Sequence, residues 1–153
     1  MRKGSMPATN AKANDEVQIR SLIEARIKAI RAKDVEGATG SISEEIVLFD
    51  VVDPLRSIGS DALKKRAATW FSSFDGSIGF EIRDLAIAAA NDIAFSYGLN
   101  HVSATTMDGT KLEMWWRTTV CYRKIRDKWI VTHEHNSVPF DVGTGKASLE
   151  LQP

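Results

Sequence analysis

The chain has 153 residues, 43% of them hydrophobic and 26% charged, with 20 lysines and arginines balanced by 20 aspartates and glutamates. That length bounds one domain with a core of its own. The zero formal charge argues against a surface for nucleic acid or anionic lipid, the lone Cys121 excludes an intrachain disulfide, and no apolar run is long enough to span a bilayer.

Residues 1–14 are polar and small, and their composition predicts a disordered leader. Met1-Arg2-Lys3-Gly4-Ser5 lacks the apolar stretch of a secretory signal, so a cytoplasmic location is the default expectation. From Asp15 the pattern turns helical. Ile19, Leu22, Ile23, Ile27 and Ile30 recur at spacings of three and four and share one face, while Arg20, Glu24, Arg26, Lys28 and Arg31 occupy much of the remainder. Asp34 is placed to cap a short second helix, whose length Gly37 and Gly40 limit. The run from Ile46 to Val52 reads as a buried strand that ends at Asp53-Pro54. A third helix follows from a cap at Ser60, with Leu63, Ala67, Trp70, Phe71 and Phe74 at helical spacing.

The rest of the domain reads as strand. Residues 78–88, 93–105, 111–124 and 128–138 alternate in the manner of half-buried strands, with turns at Asn91-Asp92, Asp108-Gly109 and Arg126-Asp127. Helices followed by a meander describe an α+β domain with helices packed on one sheet face. The expected organisation is one domain over residues 15–145 and a C-terminal tail over 146–153, in which Leu149 and Leu151 are too apolar for a solvated segment.

Side chains alternate along a strand, so parity sorts them into faces. Trp115, Arg117, Thr119 and Cys121 share one parity, as do Trp129, Val131, His133, His135 and Ser137. Both sets mix aromatic with hydrogen-bonding groups, which predicts that they line a pocket. By the same reasoning Asn100 is expected inward with Ser96 and Gly98, small residues that leave room for a ligand, and His101 outward. Met114, Trp116, Tyr122, Phe95, Tyr97 and Leu99 are then expected on the uncovered face, beneath a second subunit.

Several stretches together resemble one known family. They are Leu48-Phe49-Asp50, Pro54-Leu55 with Gly59, Trp70-Phe71, Asp108-Gly109, Trp115-Trp116-Arg117-Thr118-Thr119, Lys128-Trp129 and His133-Glu134-His135-Asn136-Ser137-Val138-Pro139. This set, spanning about residues 15–145, resembles the SnoaL-like branch of the nuclear-transport-factor-2-like superfamily. The resemblance implies a cone-shaped, curved antiparallel sheet with three N-terminal helices, an NTF2-like barrel. It also implies a pocket on the concave face and a homodimer. The superfamily includes ketosteroid isomerase, polyketide cyclases, dehydratases and epoxide hydrolases as well as members without chemistry, so fold alone does not assign a reaction.

On this reading the ligand is a small, apolar, carbonyl-bearing molecule, and no cofactor, nucleic acid or membrane partner is implied. Asp50, His133, His135 and Arg117 are the candidate catalytic residues. Asp50 or a histidine would act as base, and Arg117 with Asn100 would steady an oxyanion. Trp70, Asn100, Trp115, Thr119, Trp129 and Ser137 are the candidate ligand-binding residues. The alternatives are a structural Asp50–Arg117 ion pair in a non-catalytic binding or dimerisation module, and a metal held by His133 and His135 with Asp50 or His101. The resemblance implies a metal-free pocket. The only tyrosines are Tyr97 and Tyr122, and the tyrosine–aspartic acid oxyanion pair of ketosteroid isomerase has no obvious copy here.

Overall fold

A computed structural model describes residues 8–153. Of the expected leader, residues 1–7 lie outside the described residues, and residues 8–14 form the first turns of helix α1, which runs Ala8–Arg31. Ala8, Ala11 and Ala13 favour that extension, alanine being the strongest helix former. Helix α2 (Val35–Thr39) starts at the expected cap, where Asp34 Oδ1 accepts from Gly37 N at 3.0 Å. Strands β1 (Ile42–Phe49) and β2 (Ser57–Ile58) form a hairpin ahead of helix α3 (Ser60–Ser72). Strands β3 (Phe74–Ala90), β4 (Ile93–Thr106), β5 (Lys111–Ile125) and β6 (Lys128–Ser137) complete the helices and strands of the described residues.

The six strands lie in the order β2-β1-β6-β5-β4-β3. β1 runs parallel to β6, so the sheet is mixed, and β2 and β3 remain as its edges rather than joining into a closed barrel. The meander turns use the residues that their chemistry suggests. Asn91, Gly109, Arg126 and Asp127 all have positive φ, the conformation tight hairpins need.

The helices cover one sheet face through two hydrophobic clusters. Ile19, Ile23, Leu48, Leu63, Val120, Tyr122, Trp129 and Val131 belong to the first. Ile30, Phe71, Phe74, Ile78, Phe80 and Val102 belong to the second, with Trp70 and Trp116 packed against it. Burying a side chain of this size contributes about 1.5–3 kcal/mol, so these two groups hold the helices to the sheet. Each of α1, α3, β4 and β5 contributes to both clusters or flanks both, and the polar residues between the two groups form the site described next.

Candidate functional site

On α1, Arg26 lies between Ile23 of the first cluster and Ile30 of the second. Arg66 lies between Leu63 and Trp70 on α3, Ser96 and Asn100 between Ala94 and Val102 on β4, and Thr118 between Trp116 and Val120 on β5. Glu134 and Asn136 join them from β6, and Asp50 follows the last residue of β1. Register brings the strand residues side by side, with Thr118 opposite Asn136 and Leu48 beside Glu134.

These groups form one connected network. Arg66 Nη2 donates to Asp50 Oδ2 at 2.7 Å, and its Nη1 donates to the Asp53 carbonyl at 3.1 Å. Val51 N donates to Asp50 Oδ1 at 2.8 Å. Asn136 Nδ2 reaches Asp50 Oδ1 at 3.3 Å and Glu134 Oε1 at 3.1 Å. Arg26 Nη1 closes the chain on Glu134 Oε2 at 2.7 Å. The Glu134 carboxylate raises the Arg26 pKa above its ordinary value, against the opposing effect of burial. Tyr122 and Ser96 share a 3.0 Å hydrogen bond nearby, and burial pushes the Tyr122 phenol up.

Four buried side-chain atoms lack a hydrogen-bond partner among the described residues: Arg26 Nε, Arg66 Nε, Asn100 Oδ1 and Asn136 Oδ1. Two are on arginines of α1 and α3, and two are on asparagines of the inward sheet face in β4 and β6. Buried polar groups without partners are rare, so their concentration here marks a place where a ligand could supply the missing bonds. Two open grooves lie elsewhere, one bordered by Glu113, Trp115 and Leu149–Gln152, the other along the far end of β3, β4 and β5.

The structure reverses the expected faces of β5 and of the end of β6. Leu99 pairs with Arg117 and Asn100 with Trp116, so Trp116, Thr118, Val120 and Tyr122 accompany inward Asn100. Trp115, Arg117, Thr119 and Cys121 lie on the outer face, and Arg117 and Thr119 are exposed. In β6 the parity changes partway. Cys121 pairs with His133 but Tyr122 pairs with Val131, which leaves Thr132 as an extra residue. This β-bulge keeps Trp129 and Val131 inward while turning His133, His135 and Ser137 outward and Glu134 and Asn136 inward.

Asp50 is therefore not brought together with Arg117, His133 or His135, and its ion-pair partner is Arg66. Arg117 Nε instead donates to Ser137 Oγ at 3.1 Å. His133 Nδ1 donates to the Val47 carbonyl at 2.7 Å, and Phe49 sets its ring edge-on to both His133 and His135. Trp115 stacks with the His101 ring, and the Arg83 guanidinium lies 4.7 Å from its ring centre. Trp129 is core, donating Nε1–H to Asp15 Oδ1 at 3.2 Å, and Trp70 packs edge-on to Phe74, Phe80 and Trp116. Asn100 lies inward and His101 outward, as parity suggests. Gly98 does not make room for a ligand, because a Cβ there would lie 2.8 Å from Ile82 Cγ2. No group of three or more histidine, cysteine or acidic side chains among the described residues is arranged to hold a metal.

Arg26, Arg66, Glu134 and Asn136 escaped the reading of faces. Their signal is an interruption of apolar spacing. Ile19, Ile23, Arg26 and Ile30 follow steps of four, three and four, and Leu63, Arg66 and Trp70 steps of three and four, so each arginine sits in its helix's apolar stripe.

The profile of the SnoaL-like domain matches residues 19–141. The chain belongs to the SnoaL-like family. Among solved structures, an NTF2-like protein of unknown function from Pseudomonas putida KT2440 is 33% identical, with a TM-score of 0.84 over 92% of this chain and 98% of that one. An NTF2-like superfamily protein from Salmonella enterica is 16% identical, with a TM-score of 0.76 over 89% and 99% of the two chains. A ketosteroid isomerase-like protein from Erwinia carotovora is 18% identical, with a TM-score of 0.68 over 80% and 95%. The last two share the fold alone. No curated protein is significantly similar to the chain. The SnoaL-like fold is one of small-molecule binding or catalysis, and no described helix is long and apolar enough to cross a membrane.

Proposed function

We propose that this SnoaL-like protein binds a small, largely apolar organic molecule on its concave face and exchanges a proton with it at Asp50, without a cofactor. The observation that carries this reading is the coincidence of the unpaired buried atoms with the Asp50–Arg66–Asn136–Glu134–Arg26 network. Of the two carboxylates, Asp50 is the more reachable, its side chain 23% exposed against 8% for Glu134. Asp50 would act as base. Arg66 and Asn136 would aim it, and an arginine Nε would meet the charge that develops on the ligand. Glu134 would hold Arg26 in place. Isomerase, cyclase, dehydratase and hydrolase chemistry would each fit a carboxylate base flanked by hydrogen-bond donors.

The test is a nitrogen-15 titration of the protein with a library of small cyclic ketones and hydroxyketones. Binders should shift the side-chain amides of Asn100 and Asn136, and a substrate found among them should lose about 10²–10⁴-fold in rate with Asp50→Asn. Shifts confined to outer-face residues such as Trp115 and His135 would place the ligand elsewhere and defeat the reading.

A second reading, a non-catalytic binding or dimerisation module, draws on the three donors that already hold the Asp50 carboxylate and on the aromatic outer face. It predicts ligand binding that survives in Asp50→Asn with no turnover in either form. Under both readings we propose that the protein works as a homodimer joined through that outer face.

A further inference from the structure

Asn136 restricts what the concave site can accept. Its amide nitrogen lies 3.3 Å from Asp50 Oδ1 and 3.1 Å from Glu134 Oε1. Ionised carboxylates only accept hydrogen bonds, so the amino end of the side chain is the end that faces them. Turning the amide over would set three acceptor oxygens together with no proton between them. The two carboxylates therefore fix the orientation of Asn136 and turn Oδ1 away from themselves. Asn136 is only 8% exposed, and that Oδ1 has no partner. Asn100, 6% exposed on the same face, also has an unpartnered Oδ1.

The charges around these amides are already matched, Arg66 with Asp50 and Arg26 with Glu134. The four charges sum to zero, so a carboxylate, phosphate or ammonium added beside them would bring a charge with no counter-charge of its own, even where an anion accepted from an arginine Nε. Leaving a buried charge unpaired is strongly unfavourable. An anion or cation is thus a poor fit, whereas a neutral hydrogen-bond donor satisfies Asn136 at no electrostatic cost.

We propose that the concave site takes an uncharged ligand presenting a hydroxyl donor to Asn136 Oδ1: an alcohol, a phenol or an enol rather than an acid or a bare ketone. This rests on the reading that the concave network is the ligand site, and it sharpens the substrate class of that reading. The hydroxyl is held by Asn136, and the Nε of Arg26 or Arg66 is available to an acceptor elsewhere on the same molecule.

Three probes of one shape test it: para-cresol, para-methylanisole and para-toluate, which offer a donor, an acceptor alone and an anion. Each is titrated into the full chain at neutral pH, with the side-chain amide shifts of Asn100 and Asn136 as readout, then into Asn136→Ala and Asp50→Asn. Para-cresol should bind about tenfold or more tightly than the other two, and Asn136→Ala should erase that preference. Equal binding of cresol and methylanisole, or tightest binding of toluate, overturns the donor proposal; if the side-chain amides of Asn100 and Asn136 still shift with all three, the concave site itself stands. Binding indifferent to both substitutions, or no shift at millimolar cresol, overturns the site and the proposal together. Circular dichroism checks the folding of Asn136→Ala. If that variant unfolds, the order of the three probes on the unsubstituted chain decides.

Discussion

Asp50 and Glu134 share one amide but face different surroundings. Glu134 is nearly sealed and answers Arg26, while Asp50 and Arg66 are each about a quarter exposed. Removing one partner of a buried pair strands the other charge, whereas water can replace a partner that is partly exposed. Arg26→Met, which strands the sealed Glu134, should therefore cost roughly 2–3 kcal/mol in urea denaturation, and Arg66→Met, which strands the quarter-exposed Asp50, less than about 1 kcal/mol. The order matters more than either value. If Arg66→Met costs as much as Arg26→Met, Asp50 is a structural ion-pair residue and a poor candidate for chemistry. Tyr122 adds a pH dependence. Burial raises its phenol pKa in the folded chain, so the neutral form is the one the fold favours. That contribution is complete below about pH 10, the ordinary phenol value, and is lost as pH rises through the higher folded value. Tyr122→Phe should flatten the alkaline fall in stability above about pH 10. At neutral pH it should cost about 1 kcal/mol for the lost bond to Ser96.

Local chemistry made the elements themselves legible. The Asp34 cap, the Asp108-Gly109 and Arg126-Asp127 turns and the Ile19–Ile30 spacing each report a short-range rule, and the corresponding elements form with boundaries shifted by a few residues. β3 begins earlier than its alternation suggests, at Phe74, and α3 ends at Ser72. Facing was harder to read. The side of the sheet that Arg117 occupies depends on the register of β5 against β4, and the side of His133 on the bulge at Thr132. A one-residue bulge leaves no clear trace in composition, yet it inverts every side chain beyond it. Asn100 came out correctly because β4 keeps one parity along its length, with Ser96 and Asn100 both buried. A second irregularity, between Arg83 and Ala86 of β3, has a measurable consequence on β4. There Gly98 meets Ile82 Cγ2 and the Arg83 carbonyl, which would lie 2.8 Å and 3.1 Å from an added Cβ. Gly98→Ala should thus destabilise the fold by about 1–3 kcal/mol through overpacking, read as a lowered urea midpoint at unchanged slope. A neutral or stabilising result would mean that Ile82 moves freely, and that the sheet beneath Asn100 is softer than its packing suggests.

The helices and the two clusters account for one face of the sheet, which leaves the other to be explained at the scale of the whole molecule. That outer face carries Ile93, Phe95 and Tyr97 at 54%, 46% and 52% exposure, with Phe49 at 39%. Phe95 and Tyr97 stack on each other, and their cross-strand neighbours are Cys121 and Thr119 rather than charged groups. A stacked aromatic pair on an uncovered strand face is costly to leave in water and would suit a contact with a partner. Met114, Trp116 and Tyr122, expected to join it, face inward instead, so the patch is smaller than parity suggested and is centred on β4. The tail lies farther along β5: Leu149, Leu151 and Gln152 share a groove with Trp115 and Glu113 on the same subunit. If two copies meet through this face, Tyr97→Asp should put a charge into the contact and leave a monomer, with near-native circular dichroism because the side chain is half exposed in one chain. Removing residues 146–153 should lower the thermal midpoint by uncovering Trp115 while leaving ligand binding on the opposite face intact. Light scattering at micromolar concentration checks the first, and thermal unfolding with a ligand titration checks the second. A monomeric unsubstituted protein would sink the dimer, and loss of binding without loss of stability in the truncated chain would mean that the tail belongs to the site. A dimer that persists in Tyr97→Asp would move the contact off the centre of β4, toward the strip of Phe49, His133 and His135 along β1 and β6.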